Sequence, residues 1–360
     1  MYAGMPLQKD FTDALLGGRG EGSGSSGLVV QHLRKFVNSA FDHKEIASGE
    51  FWPTLEDIFT CLDLSANTGH HLGPKFKAGE LRTVRRALIY RIIVMLREKF
   101  KEARDNKNEK WTLLLTLMQK IGGSNSGFIS TNWDTVIEDM LKETQEIEWF
   151  DYGCDAVRVS LHSGIGTIKV QEPETHRVRR VIKIHGSANW LYCDNCRRLF
   201  WIRSNQTGKV GDQLLSDDEW HKIAPETPIK KERWSCECGS RSLGTRLATF
   251  SYLKALDFPM FQKSWFSAEA MLREAKNWVF IGYSLPAADF EFKYLLKRVQ
   301  LSRRKAPNFA VVSGGGDAEE TYRHYQRFFG RKIKRDINCF LKGLNSETIQ
   351  SIVSLTQSDP

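Results

Sequence analysis

The sequence predicts an α/β fold: a parallel sheet joined to an all-helical block and a metal-stapled insertion. Three observations predict it. Short apolar runs at 128–130, 181–184, 278–281 and 309–312 each end in a polar or Gly/Ser loop. The last two lead into helical stretches at 289–301 and 318–329, and strands alternating with helices favour a parallel sheet covered on both faces. Leu81, Val84, Leu88, Ile92, Leu96 and Phe100 recur at three- and four-residue spacing, the mark of an amphipathic helix. Two cysteine pairs, Cys193/Cys196 and Cys236/Cys238, stand in a stretch where neither period holds.

Taken in order, 3–6 reads as a loop, 10–16 as a short helix and 17–27 as a Gly/Ser-rich linker. A helical subdomain spans 28–122. Pro53-Thr54-x-x-Asp57 resembles a capping box ahead of Ile58, Phe59 and Leu62, and 111–121 continues the helical pattern. After Gly122-Gly123 the period changes. The run at 128–130 has strand character, 134–142 is helical, and 157–161 with 167–170 alternates as a hairpin around Ser163-Gly164. The sheet domain takes 126–190 and 241–330, the insertion 191–240, and 331–360 forms a C-terminal extension.

With 360 residues the chain buries a full core and carries more than one unit. No apolar run approaches a membrane span, since the greasiest, at 88–96, is broken by Arg91. Without a charged-then-apolar opening segment, the cytoplasm is the expected compartment. The net charge of +9 is spread over small clusters at Arg177/Arg179/Arg180, Arg303/Arg304/Lys305 and Arg331/Lys332/Lys334/Arg335. None is interleaved with aromatics, so solvated faces are preferred to a nucleic-acid surface.

The chemistry concentrates at strand ends, where open α/β sheets bind ligands. Cys193-Asp194-Asn195-Cys196 and Cys236-Glu237-Cys238 supply four thiolates, enough for a closed tetrahedral zinc site; the alternative is unrelated buried cysteines. Four sulfurs leave no open position, so the metal is structural. His185 could replace one, but a zinc deaminase requires His-x-Glu and Ser187 stands there. At the end of its strand, His185 has the proton affinity to deprotonate a water near neutral pH, and Gly186 lets a ligand approach the backbone. Asn132 and Asp134, two apart, suit a water or sugar hydroxyl and a ribose diol respectively; the alternative is a helix N-cap. Gly282-Tyr283-Ser284 would let a nucleotide meet backbone N–H groups at a helix start, and Ser313-Gly314-Gly315-Gly316 repeats the arrangement, with a plain loop as its alternative. There is no P-loop, no Gly-x-Ser-x-Gly and no His-Glu-x-x-His.

Ser130-Thr131-Asn132-Trp133-Asp134, Lys183-Ile184-His185-Gly186-Ser187, the two cysteine pairs and Ile281-Gly282-Tyr283-Ser284-Leu285, in that order, resemble the sirtuin superfamily, most closely bacterial sirtuin-like domains of anti-phage defence. The resemblance spans 126–330. It implies a Rossmann-like NAD-binding domain with a zinc-ribbon insertion (Zn2+ structural) and a helical module. By it, Asn132 contacts the nicotinamide ribose and a water, His185 is the general base, Asp134 holds the nicotinamide end, and Gly282 and Ser284 bind NAD. Thr131 and Ser313, at ends of the same strands, complete the expected cofactor-binding set. Two departures stand out: the second cysteine pair is shortened, and the first strand with its Gly-Ala-Gly-x-Ser diphosphate loop is missing before Met1-Tyr2-Ala3-Gly4.

The expected activity is NAD⁺ hydrolysis to nicotinamide and ADP-ribose. In that group it depends on a homo-oligomer or a partner such as a HerA-like ATPase, a nuclease or an Argonaute. Protein deacylation is the alternative, although Leu247-Ala248-Thr249-Phe250-Ser251-Tyr252 replaces the deacylases' Val/Phe-rich segment. A catalytically weak subunit binding NAD or ADP-ribose is the third reading.

Overall fold

The computed structural model describes residues 11–16, 24–42, 52–106, 109–121, 123, 125–161, 166–172, 177–227, 229, 231–251 and 258–357. The expected opening loop at 3–6, most of the Gly/Ser-rich linker, the hairpin turn at Ser163-Gly164, and Tyr252 lie outside these residues.

Helices come first: α1 (Phe11–Leu16), α2 (Ser25–Ala40), α3 (Leu55–Thr68), α4 (Ala78–Asp105) and α5 (Glu109–Ile121). Thr54 caps α3 as its sequence predicts. Its Oγ1 accepts from the Asp57 amide at 3.2 Å and donates to the Asp57 carboxylate at 2.7 Å. The α4 stripe buries Leu81, Val84, Leu88, Ile92 and Leu96, while Phe100 meets Trp111 of α5 edge-on at 5.4 Å.

Next come β1 (Phe128–Ser130), α6 (Val136–Gln145), β2 (Trp149–Asp151), β3 (Ala156–Leu161), β4 (Ile168–Val170) and β5 (Val178–Lys183). The module around the cysteines holds β6 (Trp190–Cys193), β7 (Leu199–Trp201), α7 (Thr207–Leu214), α8 (Asp217–Ile223) and β8 (Leu243–Gly244). The remainder alternates: α9 (Pro259–Glu274), β9 (Asn277–Ile281), α10 (Phe290–Ser302), β10 (Asn308–Val312), α11 (Ala318–Phe329), α12 (Arg335–Asn338), β11 (Cys339–Phe340) and α13 (Ser346–Gln357).

The strands form two parallel sheets, ordered β1-β5-β2 and β11-β10-β9, and a mixed sheet, β4-β3-β7-β6-β8, which contains the expected β3–β4 hairpin with Leu161 opposite Ile168. Parallel strands are thus present, in two three-stranded sheets. Side-chain packing joins them: Ile182 and Ile184 share one cluster with Ala268 and Leu272 of α9, Trp278 of β9 and Phe309 and Val311 of β10.

Within 190–244 the structure has two short helices where the sequence shows no period. Seven or eight residues carry too few apolar repeats for a 3.6 pattern to emerge. Val210, Leu214 and Trp220 there join the α2–α4 cluster. Gly211 lets α7 lie close on α4, for a Cβ at that position would stand 3.3 Å from the Tyr90 ring, and Tyr90 meets Trp220 edge-on at 5.3 Å. At the far end β11 adds to β10 with Phe340 opposite Val312, and α13 seats Ile349 and Ile352 against Leu117 of α5. Among the described residues no helix is long and apolar enough to cross a membrane.

Candidate functional site

β1 and β5 are parallel neighbours with Ser130 opposite Lys183, so their carboxyl ends deliver the 131–134 and 184–187 segments side by side. The Ile184 amide donates to the Ser130 carbonyl at 3.3 Å, and the Asn132 amide to Ser130 Oγ at 3.1 Å. His185 Nδ1 lies 3.1 Å from the Thr131 carbonyl. A carbonyl only accepts, so Nδ1 carries the proton and the basic lone pair belongs to Nε2. His185 is buried and the Asn132 side chain beside it is exposed. Thr131, Asn132, Asp134 and His185 are therefore brought together.

Two of these neighbours are spent on structure. One Asp134 carboxylate oxygen accepts the Val136 amide at 3.0 Å and starts α6, the helix-start role its spacing left open. Ser187 is fully buried and its hydroxyl donates to the Trp133 carbonyl at 3.4 Å. Gly186, with φ of 84°, does sit at a close backbone approach, but the chain itself makes it: a Cβ there would lie 2.7 Å from the Arg246 carbonyl.

The other strand ends stand apart. Gly282, φ 65°, faces open space, and its amide donates to the Val312 carbonyl at 2.9 Å. The Ser284 carbonyl lies 3.1 Å from His324 Nδ1. Burial, with Asp289 and Tyr325 nearby, pushes the Tyr283 phenol up, and its hydroxyl donates to Asp289 at 3.1 Å. A row of rings links this loop to His185: His185 to Trp265 at 6.4 Å, Trp265 to Phe292 at 6.1 Å, Phe292 to Tyr283 at 5.6 Å. Ser313 is tied to the C-terminal turn, its amide donating to Phe340 and its carbonyl accepting from Gly343.

Sequence reasoning missed a buried polar group beneath the 131–134 loop. Lys183 has no exposed surface and lies 3.4 Å from Glu138, itself buried on α6. Burial pushes the Glu138 carboxyl up, with Lys183 opposing. The Tyr152 hydroxyl donates to Glu138 at 3.3 Å, and Asn189 donates to the Tyr152 oxygen at 3.1 Å. The available signal was a lysine inside the apolar run Val181-Ile182-Lys183-Ile184.

The four cysteine sulfurs all lie within 4.8 Å of one another, with Cys193 3.7 Å from Cys238 and Cys196 3.6 Å from Cys236. A tetrahedral Zn–S₄ centre has sulfur–sulfur edges of about 3.8 Å, so the cluster fits zinc or a similar soft cation. Tight turns supply the ligands: the Arg197 amide returns to the Cys193 carbonyl at 2.9 Å, and the Gly239 amide to Cys236 at 2.9 Å. The Asn195 amide, donating to Cys238 Sγ at 3.6 Å, pulls that exposed thiol down to about 6, in the direction of the thiolate a metal needs.

No family model matches the chain, and no curated protein matches it.

Proposed function

We propose that the protein is an NAD⁺ glycohydrolase of Rossmann-like architecture, with a zinc-ribbon module stiffened by Zn2+ on Cys193, Cys196, Cys236 and Cys238. The observation that carries this reading is the 3.1 Å contact between His185 Nδ1 and the Thr131 carbonyl beside exposed Asn132. It leaves Nε2 as the basic nitrogen at a strand end, where α/β sheets bind ligands. Asn132 orients a water at the ribose C1′. The water oxygen bonds C1′ as the C1′–nitrogen bond breaks, nicotinamide leaves neutral with that electron pair, and the water proton passes to His185 Nε2. The metal holds four sulfurs in a closed shell and supplies rigidity, not a reacting position.

NAD reaches this pocket with Thr131 and Asp134 at its nicotinamide end and Gly282, Ser284 and Ser313 along the neighbouring loops. The open space at Gly282 supports that placement. Activity in the cell depends on a homo-oligomer or on a partner such as a HerA-like ATPase, a nuclease or an Argonaute.

Nicotinamide release from NAD, with and without such partners, tests the reading. Turnover abolished by His185→Ala is the expected result. Undiminished turnover in that variant, or none in any assembly, sinks it. Product formed only with an acetyl-lysine peptide, as O-acetyl-ADP-ribose, transfers the site to protein deacylation, and tight NAD binding without turnover makes the chain a binding subunit.

A further inference from the structure

We propose that Lys183 is the positioning residue of this site: its buried ammonium, seated on Glu138, holds the 131–134 loop by two carbonyls and thereby sets where Asn132 stands and which nitrogen of His185 carries the proton. For its effect on turnover the proposal rests on the glycohydrolase reading.

An ammonium has three N–H donors, and Lys183 Nζ meets three acceptors: the Asp134 carbonyl, the Asn132 carbonyl at 3.5 Å and Glu138 Oε1 at 3.4 Å. Two of the three are main-chain oxygens of one short loop. Thr131, whose carbonyl meets His185 Nδ1, lies between β1 and those oxygens. Lys183 ends β5, two residues before His185, so one strand end carries both the clamp and the base. The anchor is itself fixed. Glu138 accepts from the Tyr152 hydroxyl, Tyr152 from Asn189, and the same Asn189 amide donates to the Ile202 carbonyl at 2.9 Å. A charge pair with 0% and 3% exposed side chains is costly to bury, and apolar residues of the same volume often serve stability as well. What they cannot supply is a donor to two loop carbonyls.

The test neutralises the pair. Lys183→Met alone leaves Glu138 without its cation and is expected to cost folding, so the working variant is Lys183→Met/Glu138→Gln, with Lys183→Gln/Glu138→Gln as a milder second. Circular dichroism should show either one folded. The kcat for nicotinamide release should fall by about 100-fold with KM little changed, the pattern of a misplaced reacting group. Long-range ¹⁵N NMR of the His185 ring should show the Nδ1-protonated tautomer in the wild type and a mixture of tautomers in the variant. The ring signal needs no activity. A wild type without NAD turnover would end the glycohydrolase reading and leave the NMR comparison to decide this one. A folded variant with the wild-type tautomer pattern overturns the proposal.

Discussion

The Ala248 amide donates to the His185 carbonyl over 3.0 Å, so the chain leaving the cysteine module is laid across the candidate base. Its other face is held as well: the Trp133 indole donates to the Ala248 carbonyl at 3.1 Å, and the Thr249 hydroxyl donates to Asp63, whose carboxylate also meets Arg85 at 2.5 Å. Asp63 lies on α3. The helical block is thus within two residues of His185 through one strap of backbone.

That strap makes Gly186 sensitive. Alanine there must adopt a left-handed φ and meet the Arg246 carbonyl at 2.7 Å. Gly186→Ala should cost about 1–3 kcal/mol in urea unfolding. Amides of 247–251 should exchange with solvent faster than in the wild type, and unchanged exchange would remove the strap from the account.

Asn132 and His185 separate chemistry from stability. The Asn132 side chain is exposed, so Asn132→Ala should leave the unfolding free energy within about 0.5 kcal/mol while slowing nicotinamide release by about 100-fold. His185→Ala should lower the rate by about 10²–10⁴-fold, the range of general-base loss. Parallel unfolding and rate measurements on both variants check this.

Metal content is directly measurable. Purified protein should carry about one zinc per chain by mass spectrometry, and Cys238→Ser should lose most of it. Cys193 and Cys236 share a cluster with Leu88 and Ile92 of α4, so chelation should lower the melting temperature of the helical block together with the module. Separate transitions would show the two to be independent.

Glu138 predicts a pH dependence. Burial raises its carboxyl, so the folded state binds this proton more tightly than the unfolded one. Its contribution is therefore fully present below the unfolded value, about 4.3, and is lost as pH rises through the higher folded value. Relative to Glu138→Gln, the wild type should lose stability as pH climbs from about 4. Thermal melts of both proteins across that window give the sign, and a wild-type advantage growing with pH would contradict it.

Much of the architecture was legible because its causes are local. The α4 stripe, the Thr54 cap, the β3–β4 hairpin and the strands at 128–130 and 308–312 each follow from spacing or turn chemistry within a few residues. α9, β2 and the helices of the cysteine module were not legible. Their apolar residues answer partners far along the chain, as Trp220 answers Tyr90.

By itself the sequence determined which residues stand at strand ends: Asn132, His185, Gly282 and the four cysteines. Strand periodicity and cysteine spacing are properties of contiguous chain, and they need no fold to be read. Only the tertiary structure decided that β1 pairs with β5, that the Thr131 carbonyl takes the Nδ1 side of His185, and that Lys183 lies beneath both. Those are contacts across about fifty residues, set by sheet register and by the need of a buried ammonium for acceptors, and no local pattern encodes either.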